Sequence, residues 1–149
     1  MDAHWAAIQF MSHSAQIQSS RWPTSIIIHS LDELITSDAR LVVFDAAHEL
    51  EHDAGYSLPV GWHVTSDSIA AWLALKTNAD ELVLLKSVGS DEPYSMEQAV
   101  ERGWLDPYFP TIARELSQTR TRISWINARS SSLDRFPLRF CLQAIDRDA

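Results

Sequence analysis

The chain has 149 residues, 46% of them hydrophobic and 21% charged, and a net charge of −8; that length suits one domain with a sizeable core. Two lysines and scattered arginines form no basic cluster, which argues against a nucleic-acid backbone as partner. No apolar run approaches membrane-spanning length, and the single cysteine, Cys141, excludes an internal disulfide, so the chain reads as cytoplasmic.

Residues 3–18 read as a helix, with Trp5, Ile8, Met11 and Ala15 on one side and Ala6, Phe10 and Ile17 on another. Two apolar faces predict a helix covered on both sides, one of them by a partner subunit in a homo-oligomer or hetero-complex. Pro23 follows its end, and "TSIIIHS" is a β-branched, buried-strand signal. "LDELI" is a short helix, and "ARLVVFDA" a second strand ending at Asp45. A helical turn and a loop holding Gly55, Pro59 and Gly61 come next.

"HVTSDSIAAWLA" then opens a helix running to about Asn78. Thr65 or Ser66 can cap its first turn, and Asp67 complements the positive helix end. Ile69, Trp72, Leu73 and Lys76 recur at i, i+3, i+4 and i+7 and turn one stripe toward a sheet. "ELVLLKSV" is a third strand, ending in Lys86-Ser87. "SMEQAVERGW" and "PTIARELSQ" read as helices, "TRISWINA" as a fourth strand and "LRFCLQAI" as a fifth. Alternating strands and helices predict an α/β fold, a three-layer α/β/α domain on a mostly parallel sheet. Ligands of such sheets gather beyond strand carboxyl ends and at helix N-termini, which makes Asp67 and Lys86 site candidates.

The stretch "VTSDSIAAWLALKTNADELVLLKSV" resembles the nucleotide-binding half of the amino acid kinase family, the aspartate, glutamate and uridylate kinases. "GWHVTSDSIAAWLA", "LVLLKSV", "LDPYFP" and "WINAR" are similar to its branch that phosphorylates an aminomethyl-furan phosphate in methanofuran-type cofactor synthesis. The resemblance implies a carbamate kinase-like fold and phosphotransfer from ATP with Mg²⁺ to a small amine- or phosphate-bearing metabolite. It implies that Asp67 orients the basic groups around the transferred phosphoryl group. Lys86, Ser87 and Val88 would border the nucleotide, and His63, with Thr65 and Ser66, the substrate. The family's Gly-rich phosphate-binding loops have no counterpart, since the four glycines (55, 61, 89 and 103) are never adjacent. The expectation is an incomplete kinase, completed by an upstream segment or a partner chain, with a catalytically inactive structural or regulatory relative as the alternative.

"HELEH", residues 48–52, matches the H-E-x-x-H zinc signature, in which two histidines at i and i+4 hold the metal and the first Glu acts as base. Gly and Pro soon after confine the helix to about 46–54, so the motif reads first as an exposed, charged turn. Metal binding by His48 and His52, and zinc peptidase chemistry, stand as the other readings. His4 and His13 read as polar positions on the first helix. Cys141 reads as a buried small hydrophobe, and Trp5, Trp72 and Trp125 as core or interface residues. Asp106, before Pro107, reads as a turn residue, for which the resemblance also implies a minor active-site role, and Arg129 as a surface arginine, with an anion contact at the strand end as the other reading.

Overall fold

The computed structural model describes residues 3–52, 58–88, 95–130 and 135–138. They form an α/β chain in two compact units, Met1–Trp62 and His63–Ala149. Where the sequence predicts one mostly parallel sheet, the described strands lie in two small ones.

In the first unit, α1 (Ala3–Arg21) buries His4, Ile8 and Ala15 on one side. The opposite face stays open: Phe10 is 71% and Ile17 55% exposed. Isoleucines then favour an extended backbone, and β1 (Ile26–Ile28) pairs in parallel with β2 (Val42–Phe44), Ile27 opposite Val43. Between them lies α2 (Leu31–Thr36), capped by the Ser30 hydroxyl accepting from Glu33 N–H. Beyond β2 the chain enters α3 (Ala46–His52), whose Ala46, Ala47 and Leu50 are buried.

In the second unit, α4 (Ser66–Lys76) buries Ile69 and Trp72 of the expected stripe together with Ala71 and Ala74, while Leu73 is half-buried and Lys76 exposed. The chain leaves α4 through Asn78 at φ 49, a left-handed turn that Asn tolerates better than most residues. It then forms β3 (Glu81–Lys86), parallel to β4 (Arg122–Asn127) with Leu84 opposite Trp125. Among the described residues, two helices fill the crossover. The first, α5 (Met96–Glu101), starts at a Ser95–Gln98 capping box, and α6 (Phe109–Leu116) buries Phe109, Ile112, Ala113 and Leu116. The return from β4 is too short for a crossover helix, so β5 (Arg135–Pro137) pairs antiparallel to β4. The expected fifth strand over residues 138–145 lies outside the described residues except for Leu138, and Cys141 lies outside them altogether.

The pleat of β3 sorts its side chains onto two faces. Leu82, Leu84 and Lys86 share one of them, on which Leu82 and Leu84 are buried. Leu85 points the other way and is 71% exposed. That second face carries an ionic cluster at Glu81, which accepts from Arg135 at 2.6 Å and from Ser124 at 3.2 Å. The Arg135 hydrogen bond holds the Glu81 carboxyl below its usual value; partial burial opposes this, while the charge of Arg135, Ser124 and the charge of Arg122 add to it. No helix among the described residues is long and apolar enough to cross a membrane.

Candidate functional site

Lys86 is the last residue of β3 and Asp67 lies in the first turn of α4. The pleat turns Lys86 to the face that carries Leu82 and Leu84. Its Nζ lies 2.6 Å from Asp67 Oδ1 and 2.7 Å from Oδ2. Side-chain exposure is 16% for Lys86 and 12% for Asp67, so water screens the pair little. Breaking such a pair from one side leaves a nearly buried charge alone, which costs about 3–5 kcal/mol when burial is complete.

Asp67 is free to face Lys86 because it does not cap its own helix. Thr65, at the N-cap position, makes no side-chain cap bond either. The cap comes from Asp106, a buried carboxylate in the segment before α6. Its Oδ2 accepts from Thr65 N–H, the Thr65 hydroxyl and Ser68 N–H, each at 3.0 Å. Its Oδ1 accepts from the Ser68 hydroxyl and from Phe109 N–H. One carboxylate therefore serves the first turns of α4 and α6, whose positive ends both favour an anion there. The cap expected of Thr65, Ser66 or Asp67 falls to Asp106, which the sequence suggested as a turn residue and not as a cap. Its local half was legible, an aspartate three residues before the Phe109-Pro110 helix start. Its reach to α4, 38 residues away at Ser68, carried no local signal.

The other expected site residues divide. His63 is joined to this segment: its carbonyl accepts from Tyr108 N–H at 3.0 Å, and its ring stands edge-on to the Tyr108 ring, centroids 6.3 Å apart. Thr65 is tied to Asp106, and Ser66 is exposed at the start of α4. Ser87 is exposed and Val88 half-buried just beyond Lys86. Asp67 and Lys86 are the two that touch. Below them on the same face of β4, Trp125 is buried with its indole N–H unpaired, edge-on to Trp104 at 5.7 Å. Arg129 is exposed.

His48 and His52 lie on α3 in the first unit. Glu49, the base of the zinc signature, accepts instead from Leu31 N–H at 3.1 Å. Among the described residues no group of three or more His, Cys, Asp or Glu side chains is placed to hold a metal ion.

No protein-family model, curated protein or solved structure matches the chain.

Proposed function

We propose that the chain is an amino acid kinase-like protein, built on a carbamate kinase-like three-layer fold. In this reading it takes part in ATP-dependent phosphotransfer to a small amine- or phosphate-bearing metabolite in the cytoplasm. The observation that carries the reading is the Lys86–Asp67 pair, set where a parallel strand ends and a helix begins. Strand carboxyl ends and helix N-termini are where open α/β sheets take anionic ligands. Phosphoryl transfer asks the protein for positioning and charge more than for covalent chemistry.

Lys86 supplies a compact cation for a phosphate oxygen, with Ser87 and Val88 beside it. Asp67 holds that ammonium in place through both carboxylate oxygens. His63, Thr65 and Ser66 border the acceptor substrate. ATP with Mg²⁺ supplies the phosphoryl group, and the Gly-rich cradle comes from a further segment or a partner chain. The open α1 face, with Phe10 and Ile17, is the surface such a partner or a second copy covers.

The test is a titration of the isotope-labelled chain with ATP–Mg²⁺, followed by NMR. The expected result is weak, millimolar binding that shifts the Lys86, Ser87 and Val88 signals and disappears in Lys86→Met. Unmoved signals at millimolar nucleotide, in the chain and in any assembly that supplies the cradle, would sink the reading.

A second reading rests on the fact that one ammonium takes both Asp67 oxygens. There the pair is a clasp in a catalytically inactive structural or regulatory relative, and it stays shut at every nucleotide concentration.

A further inference from the structure

The histidines of α3 have no part in the Lys86–Asp67 site, yet their hydrogen bonds form a pattern. His52 Nδ1 lies 2.8 Å from the His48 carbonyl oxygen, and His48 Nδ1 lies 3.1 Å from that of His29. A carbonyl oxygen only accepts, so both Nδ1 atoms carry the proton and donate. Each neutral ring therefore keeps its lone pair on Nε2. Metal-ligating histidines are oriented in this way, one ring nitrogen anchored to a backbone oxygen and the other offered to the ion.

The two rings are exposed and stacked one turn apart, centroids 4.5 Å apart and 21° from parallel. A third imidazole, His29, stands 5.5 Å from His48 by ring centroid. Its Nδ1 lies 3.3 Å from the buried Asp45 carboxylate, which also accepts from the Ser12 hydroxyl at 2.7 Å and Ala47 N–H at 3.2 Å. That bracing fixes the strand end whose carbonyl anchors His48. Glu51 adds negative charge between the two α3 histidines in sequence, which favours a cation nearby.

We propose that His48 and His52 form a two-histidine clip for a borderline divalent transition-metal ion, copper(II) or zinc, bound through their Nε2 atoms. Imidazole suits these ions, and water completes the coordination. The stacked rings splay to bring two lone pairs onto one ion, and their exposure leaves no core packing to oppose it. The His29 carbonyl holds the His48 ring in place. The clip binds without peptidase chemistry, because Glu49 is engaged at the start of α2.

The experiment is calorimetric titration of the tag-free chain with CuCl₂ and with ZnCl₂ in a non-chelating buffer at neutral pH. Long-range ¹H–¹⁵N spectra of the histidine rings accompany it. One ion per chain is expected, with copper tighter than zinc as the order of divalent affinities requires. Copper should bind at micromolar concentration, and diamagnetic zinc should shift the Nε2 resonances of His48 and His52 while their Nδ1 protons remain. His48→Ala and His52→Ala should each weaken binding at least tenfold with unchanged circular dichroism, and His13→Ala should bind as the parent does. Full-strength binding by the His48→Ala/His52→Ala chain, weakening by His13→Ala, or copper binding no tighter than millimolar would each overturn the proposal.

Discussion

Asp106 gives Ser68 the helix cap that the start of α4 does not supply for itself, accepting from its N–H at 3.0 Å and from its hydroxyl. The same carboxylate accepts from Phe109 N–H at 2.9 Å. Asp106→Ala strands the buried Ser68 donors at the start of α4, leaves Phe109 N–H only the backbone carbonyl of residue 106 at 3.1 Å, and should destabilise the protein by about 4 kcal/mol, since hydrogen bonds to a charged group contribute about 1.5–3 kcal/mol each and do not add fully. Asp106→Asn keeps one acceptor oxygen and should cost roughly half as much. Urea unfolding checks both; a loss under about 1 kcal/mol for the alanine variant would refute the double cap.

Asp67→Asn removes a charge that Lys86 faces in a nearly buried setting, so its effect differs from the loss of a cap. We expect a loss of about 3 kcal/mol, and a similar loss for Lys86→Met, which strands Asp67. The double variant should recover much of it, because a neutral pair needs no desolvated partner. A double-mutant cycle measures the coupling, and additive single effects would contradict the pairing.

Much of the fold was readable in the residues, and the divide between what was and was not tracks sequence distance. The stripe of Ile69, Trp72 and Leu73 and the run from Leu82 to Leu85 gave α4 and β3, because local periodicity reflects local geometry. Asp67 and Lys86 stood out by position at a helix start and a strand end, though nothing local said that they touch. Asp106 was missed as a cap because one of its two helices lies far back in the chain. The strand β5, three residues long and held by pairing to β4, has no period to detect. Phe10 and Ile17 formed a second apolar face in the sequence, and the fold buries only the first.

Glu81 sets an acid-side limit. Its folded pKa is depressed by Arg135, so the stabilisation is present above the ordinary carboxylate range and is lost as pH falls through the lowered value. Thermal stability should drop from about pH 4.5 downward, and Glu81→Gln should flatten that part of the profile. Identical profiles for the two chains would count against this ion cluster.

Gly103 comes just after the end of α5 at φ 68, and a Cβ there would meet nothing within 4 Å. Gly103→Ala should therefore cost only backbone strain, about 1 kcal/mol. Thermal melts would show a drop of a few degrees, and a larger loss would mean that the added methyl group clashes.

The shared carboxylate of Asp106 also has a consequence in time. When α4 frays at its start, Thr65 and Ser68 release the oxygens that also order the chain entering α6. The two helices then open as one cooperative unit. The amide protons of Ser68 and Phe109, on different helices, should exchange with solvent deuterium at matched rates. Both should quicken together in Asp106→Asn, while amides in the middle of β3 keep their own slower clock.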